Sequence, residues 1–272
     1  MTLVFLPVPS NARDIGRCIY CGSTEEPLTK EHALPYALNG PWTLLRATCK
    51  QCSDITSGFE RDTARGLLLS IRTVLAMQTR TPKKRPKTLP LVVESDGLQT
   101  MIDVAPTEFP LYLPTPLFPS PGAVEGRPPV PGISTELKFI HIAGPSFEEI
   151  SKRHRADFIG ARLVFSPELF ARTLAKIAFC AGVHTLGLAP LRDASIRRAI
   201  LGKDPCVGHW VGSWNGEPMN EPKGLHAMQI RASGSDIHVV LRLFAQFSAP
   251  EYLVVLGAAD PEFVNSEDWP WK

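Results

Sequence analysis

The stretch that decides the fold of the N-terminal region is CIYCGSTEEPLTKEHALPYALNG, residues 18–40, followed by CKQC at residues 49–52. It holds two Cys-x-x-Cys pairs separated by 27 residues. Each pair lets two thiolates converge on one ion, and two pairs complete a tetrahedral Zn²⁺ site. Because four sulfur ligands leave no open position for a substrate, we predict a structural rather than a catalytic zinc ion. The four predicted ligands are Cys18, Cys21, Cys49 and Cys52.

The composition favours metal binding over disulfide bonds for these cysteines. Hydrophobic residues make up 44% and charged residues 21% of the 272 residues, as in ordinary globular proteins. The opening MTLVFLPVPS is short, lacks a basic start and is interrupted by Pro7 and Pro9, so it predicts neither a signal peptide nor a membrane span. We therefore expect a reducing, cytoplasmic location without a membrane partner, where paired cysteines usually bind metal.

The charge distribution is compatible with a nucleic-acid partner. Residues 1–88 contain 13 Lys and Arg against 7 Asp and Glu, an excess of six positive charges. Within this region, RTPKKRPK at residues 80–87 is strongly basic, and its prolines oppose a helix. Such a run is either a solvated linker or a phosphate-contacting segment. The predicted nucleic-acid contacts are Lys83, Lys84, Arg85 and Lys87.

The remaining pattern predicts an α+β fold with two domains. We place a small zinc-bound module with a trailing helix in residues 1–80, and a larger domain with helices and antiparallel strands in residues 88–272. Apolar spacing predicts the trailing helix over 59–79, and Ser-Pro at 166–167 marks the start of another helix. The last three apolar runs predict an antiparallel meander. The proline-rich segment 118–132 predicts a mobile loop or linker.

The order of motifs in the first 62 residues resembles the zinc-stabilised HNH endonucleases. The chain shows CIYCG, LTKEHALP, LNG, ATCKQC and SDITSGFERD in that order, over roughly residues 17–62. The family carries a Cys pair on each side of an acidic-His element that precedes a hairpin, and a helix follows the second pair. This resemblance covers less than a quarter of the chain.

The resemblance implies a ββα-metal fold and phosphodiester hydrolysis in DNA. His32 would be the general base that activates a water molecule. Glu31 would bind a catalytic Mg²⁺ or Mn²⁺, together with an oxygen ligand from the helix. Ser53 would supply that oxygen, or Asp54 or Glu60 in its place, since Mg²⁺ favours carboxylates.

Two positions depart from the family pattern and keep other hypotheses open. Leu44 stands where the family has its middle Asn, and Ser53 stands where it has Asn after the fourth Cys. Asn39 precedes a glycine and is better explained as a turn residue. Ser53 is explained equally well as a helix N-cap. The alternatives are a non-catalytic zinc-ribbon module that binds nucleic acid or protein, and a C-terminal domain with an unrelated activity.

Overall fold

The cysteine-rich stretch folds into a β-hairpin followed by a helix. The computed structural model describes residues 11–191, 194–219 and 224–271. Its first sheet has the order β1-β3-β2, in which β3 runs parallel to β1 and antiparallel to β2. We call residues 13–65, which contain these strands and the helix α1, the hairpin module. The elements are β1 Arg13–Asp14, β2 Thr29–His32, β3 Thr43–Thr48 and α1 Lys50–Arg65.

The single trailing helix predicted over 59–79 is wrong. Helix α1 ends at Arg65, and a separate helix α2 spans Leu69–Val74. The break falls at Gly66, where a Cβ atom would lie 2.4 Å from the carbonyl oxygen of Val164. Close approach of this distant backbone therefore requires glycine, and glycine is also a poor residue for a helix interior.

The middle of the chain forms two small antiparallel sheets. One has the order β5-β4-β8, and its buried face packs with α3 around Leu91 and Ile150. The other pairs β6 with β7. The elements are β4 Leu89–Ser95, β5 Leu98–Val104, β6 Leu111–Leu117, β7 Glu136–Ala143, α3 Phe147–His154 and β8 Phe158–Gly160.

The proline-rich segment 118–132 is held by backbone hydrogen bonds, contrary to the predicted mobile loop. Ala123 N donates to His209 O over 2.9 Å, and Gly132 N donates to Pro205 O over 2.9 Å. The segment therefore lies against the start of the C-terminal sheet. Its prolines restrict the chain and leave few amides, which fits an irregular but fixed path.

The predicted helix after residue 166 is confirmed as the long central helix α4. It spans Pro167–Leu186, and the Ser166 hydroxyl accepts a hydrogen bond from Leu169 N, as expected for an N-cap. Within the described part of the chain it is the one helix whose length and apolar composition would allow it to cross a bilayer, and most of it is buried inside the protein. Two short helices follow, α5 Ile196–Ile200 and α6 Val207–Trp210.

The C-terminal sheet contains the predicted antiparallel meander. Its order is β10-β11-β12-β9, with antiparallel pairing throughout. The helix α4 packs against this sheet on one side and against α1 on the other. The strands are β9 Val211–Ser213, β10 His226–Ser233, β11 Asp236–Leu243 and β12 Tyr252–Ala258, followed by α7 Pro261–Asn265. Helices and antiparallel sheets together confirm the α+β class.

The hairpin module and the C-terminal sheet share one hydrophobic core. A single cluster of contacting buried residues joins Ile19 and Phe59 of the module with Phe179 of α4 and Val254 of β12. The module therefore covers one side of α4 with its own apolar face. The domain division between residues 80 and 88 stays a prediction.

Candidate metal centre and nucleic-acid surface

The four predicted cysteine ligands converge on one point. Their Sγ atoms all lie within 4.8 Å of one another, and Cys21 Sγ lies 3.7 Å from Cys49 Sγ. Tetrahedral zinc with Zn–S bonds of about 2.3 Å places its sulfurs about 3.8 Å apart. All four cysteines are free thiols. We call Cys18, Cys21, Cys49 and Cys52 the cysteine cluster; it can hold a metal ion such as zinc, which fits both its spacing and its sulfur donors.

Local backbone structure places these sulfurs. Cys18 N donates to Ser23 O over 2.7 Å, and Gly22, at a φ of +80°, closes the first turn. The second pair lies at the start of α1, where Cys49 is the N-cap residue and Cys52 lies in the first turn. The sulfur atoms on the turn at Cys18–Cys21 therefore meet those at the start of α1, on the other side of the hairpin.

Glu31 points into the protein, towards helix α4. Its side chain is buried, and Thr48 Oγ1 donates a hydrogen bond to its Oε2 over 2.9 Å. Its other oxygen, Oε1, lies 2.8 Å from Nζ of Lys176. Glu60 of α1 reaches the same ammonium group, with 2.7 Å between Glu60 Oε1 and Nζ. Lys176 also donates to the backbone carbonyl oxygen of His32.

Lys176 therefore lies between Glu31 and Glu60, two of the carboxylates that the resemblance to HNH endonucleases offers to the catalytic divalent ion. Its side chain is 0% exposed, so neither solvent nor a substrate phosphate touches its ammonium group. Burial opposes the charged form, but the carboxylates of Glu31 and Glu60 outweigh burial and raise the pKa of Lys176. Burial raises the pKa of Glu60. A catalytic Mg²⁺ or Mn²⁺ between these two carboxylates does not fit this arrangement.

The other two predicted oxygen ligands lie on the first turns of α1. Asp54 forms an ion pair with Lys50 at the surface, and its side chain is 60% exposed. Ser53 is inside the helix and donates its backbone amide to Cys49 O, so Cys49, and not Ser53, is the N-cap. The acidic side chain of α1 that shares a partner with Glu31 is thus Glu60 and not Asp54.

His32 follows Glu31 on β2 and is half-buried. Burial and the positive charges of Lys176, Lys30 and Arg80 lower its pKa, so its imidazole is neutral at pH 7. Its Nδ1 atom is buried and has no hydrogen-bond partner among the described residues. The ring of Tyr36 lies edge-on, with the two ring centroids 5.8 Å apart. A neutral imidazole can accept a proton, as the predicted general base requires.

The segment that leads into the basic run 80–87 is fixed beside this hairpin. Gln78 N donates to Oδ1 of Asn39 over 2.8 Å, and Nε of Arg72 donates to Ala37 O over 2.8 Å. The predicted turn at Asn39 is confirmed, since this residue has a φ of +62° and caps a short 3₁₀ helix. The run follows directly, with a second 3₁₀ helix at Pro82–Lys84.

The lysines of this run face solvent, whereas Arg85 has a different role. Lys83, Lys84 and Lys87 are exposed. Arg85 is half-buried, and its guanidinium donates to the carbonyl oxygen of Met77, which holds the run in place. The three lysines are therefore the members of the predicted set that are available to a phosphate.

Sequence reasoning missed the buried polar network around Lys176. The hydroxyl group of Tyr20 lies 3.3 Å from Cys180 Sγ, one turn along α4 from Lys176. Burial raises the pKa of Cys180 to about 12, so it is a neutral thiol in the core, as the apolar run around it predicts. The sequence did contain an indication of this network. Lys176 is a lone lysine in the apolar run TLAKIAFCAG, and a lysine in such a run is buried only if it is paired.

His226 links the C-terminal sheet to the hairpin module, as a satisfied core histidine. Phe244 N donates to its Nδ1 over 3.2 Å, so Nε2 carries the proton and donates to Leu38 O over 3.0 Å. Burial lowers the pKa of His226 to about 4. The folded protein thus keeps this imidazole neutral.

We expect His226 to make folding sensitive to mild acid. Because its pKa is about 4 in the folded chain and about 6.5 when unfolded, its contribution is complete above pH 6.5 and is lost as the pH falls towards 4. The loss in free energy of unfolding is up to about 3 kcal/mol. Urea unfolding at pH 7, 5.5 and 4 measures it. His226→Gln should flatten this dependence, whereas His154→Gln on the exposed end of α3 should not; equal slopes for both variants would contradict the assignment.

Comparison with known proteins adds no assignment. No protein-family model, curated protein or solved structure matches the chain. The resemblance to HNH endonucleases thus rests on the sequence motifs alone.

Proposed function

We propose that the chain is a zinc-containing nucleic-acid-binding protein, in which the basic run 80–87 beside the hairpin module presents a basic surface to the phosphate backbone. The observation that carries this proposal is that the segment leading into the basic run is attached to the hairpin, through hydrogen bonds from Gln78 and Arg72. A solvated linker has no need of such anchoring. Zinc in the cysteine cluster holds the hairpin that displays the run.

The chemistry of this surface suits phosphates more than bases. Lys83, Lys84 and Lys87 are exposed point charges, and Lys30 and Arg80 act on His32 from the same side of the hairpin. Lysine ammonium groups displace the counterions of a nucleic acid without reading its sequence. We therefore propose salt-dependent binding to DNA with little sequence preference.

A second candidate function is HNH-type endonuclease activity with His32 as general base. The neutral, half-buried imidazole beside basic side chains favours it. The ion pairs of Lys176 with Glu31 and Glu60 oppose it, because they occupy the place of the divalent ion. We therefore propose binding without hydrolysis as the principal function.

Reversing the charge of the exposed lysines should weaken binding strongly. We expect Lys83→Glu/Lys84→Glu/Lys87→Glu to weaken affinity for a fluorescent DNA duplex by about 100-fold at 100 mM salt, and to reduce the salt slope by about 3. Anisotropy titrations over a salt series measure both. The matched control is Lys203→Glu, an exposed lysine far along the chain. If the triple variant binds as tightly as this control, the basic run is only a linker.

A plasmid-nicking assay separates the two candidate functions. The native protein with Mg²⁺ or Mn²⁺ should bind the plasmid and leave it supercoiled, as should His32→Ala. Nicking by the native protein that disappears in His32→Ala would instead establish hydrolysis with His32 as the base. Nicking that persists in His32→Ala would indicate a contaminating nuclease.

A further inference from the structure

The most deeply buried charge in the described part of the chain belongs to a helix that the hairpin module covers. Lys176 lies in the middle of α4, between residues that are themselves 0% exposed, such as Ala175 and Ile177. Lysine is almost never buried to this degree unless it is paired. Here the pairing groups all come from the hairpin module, through two carboxylates and one backbone carbonyl.

These three acceptors would also suit a small cation. Glu31 and Glu60 each bring one oxygen within 2.8 Å of Nζ, and the His32 carbonyl adds a third. The ammonium group donates a hydrogen bond to the His32 carbonyl oxygen and forms ion pairs with both carboxylates, although Oε1 of Glu60 accepts no hydrogen bond from the described residues. The same oxygens, without the lysine, would be hard ligands of the kind that Mn²⁺ and Mg²⁺ prefer.

We propose that the Lys176 ammonium is the internal cation of the hairpin module: it replaces a divalent ion between Glu31 and Glu60 and fastens the module to α4. Because this ammonium group belongs to the chain itself, the module needs no second metal ion between the two carboxylates. It also fixes the direction of β2, because Lys176 holds both the Glu31 side chain and the His32 carbonyl. This inference concerns folding and metal selectivity and does not depend on nucleic-acid binding.

A second contact links the same helix to the cysteine cluster. Tyr20, which lies between Cys18 and Cys21, contacts Cys180 through its hydroxyl group and packs on Phe179 with ring centroids 6.0 Å apart. The Thr63 and Thr173 hydroxyl groups add a contact of 3.0 Å between α1 and α4. The first cysteine turn, β2 and α1 thus all contact α4. To this contact α4 brings Lys176 as a fully buried cation, and Arg172, whose guanidinium lies over the ring of Phe59.

The test compares Lys176→Met with the charge-balanced variant Lys176→Met/Glu31→Gln/Glu60→Gln. We expect the single variant to lose about 10 °C in Tm, because two buried carboxylates lose their counter-ion. Millimolar Mn²⁺ should restore several degrees to the single variant and leave the native protein and the triple variant unchanged. Mn²⁺ binding is measured by EPR on the same zinc-loaded samples. The triple variant should recover most of the lost Tm without Mn²⁺.

Three outcomes would overturn the proposal. The first is stoichiometric Mn²⁺ binding by the native protein that Glu31→Gln abolishes, and the second is a single variant as stable as the native protein. If the single variant does not fold at all, the triple variant decides: its recovery supports the proposal, and equal instability overturns it. The DNA affinity of folded variants is a separate readout, so failure here is distinguishable from failure of the proposed function.

Discussion

Loss of the metal ion from the cysteine cluster is expected to unfold the hairpin module and to expose α4. The binding free energy of structural zinc in small zinc-finger peptides is about 10 kcal/mol or more, comparable to the whole stability of a domain. Without the ion, the turn around Tyr20 and the start of α1 lose the bond that joins them. Because Glu31, Glu60 and Tyr20 all contact α4, the loss reaches the C-terminal core.

The measurement is hydrogen exchange before and after treatment with a zinc chelator, with zinc release followed in parallel. We expect amides of α1, β2 and the middle of α4 to lose protection together. Cys52→Ser, at a buried cluster position, should reproduce the loss, and Cys206→Ser, a cysteine outside the cluster, should not. Full protection of α4 in the zinc-free protein would contradict the coupling.

Truncation of Phe179 should destabilise the module and the C-terminal sheet in one step. Its ring is 0% exposed, packs on Tyr20 and belongs to the core cluster that also includes the C-terminal sheet. Removal of a buried phenylalanine side chain costs about 3–5 kcal/mol, which lowers Tm by about 10 °C in a chain of this size. Calorimetry of Phe179→Ala should show a single shifted transition.

The matched control for this variant is Phe158→Ala on β8. That side chain is 54% exposed, so its removal should cost less than about 1 kcal/mol. Two separated transitions in Phe179→Ala, with the hairpin module melting at its native temperature, would show that the two regions do not share a core.

What the sequence could predict was local. The spacing of Cys18, Cys21, Cys49 and Cys52 predicted the cluster, because a Cys-x-x-Cys turn places two sulfurs on one side whatever surrounds it. Ser166 and Pro167 predicted the start of α4 for the same reason, since an N-cap acts within a few residues. The antiparallel meander followed from short apolar runs with turn residues between them.

The wrong predictions concern features that depend on contacts between residues far apart in the chain. The break at Gly66 is set by the carbonyl oxygen of Val164, nearly 100 residues later in the chain, so no local pattern could reveal it. The fixed path of segment 118–132 depends on hydrogen bonds to residues beyond 200.

In the candidate site too, the local features could be predicted from the sequence and the long-range contacts could not. Glu31 and His32 were found by their order in the motif, but the partner of Glu31 is 145 residues away on α4. The motif offered Ser53, Asp54 or Glu60 as the oxygen ligand beside Glu31. The fold brings Glu60 there, together with the ammonium group of Lys176, which the motif does not include. The environment of a buried charge depends on tertiary packing, which the motif does not encode.

Anomalous diffraction from crystals grown with Mn²⁺ tests the central claim most directly, since the zinc and manganese absorption edges identify each ion at its own position. We predict a zinc peak within the four Sγ atoms of the cysteine cluster, and electron density for the Lys176 side chain, without a manganese peak, between Glu31 and Glu60. A manganese peak bonded to both carboxylates, with Lys176 displaced, would contradict the account and restore the metal-dependent nuclease.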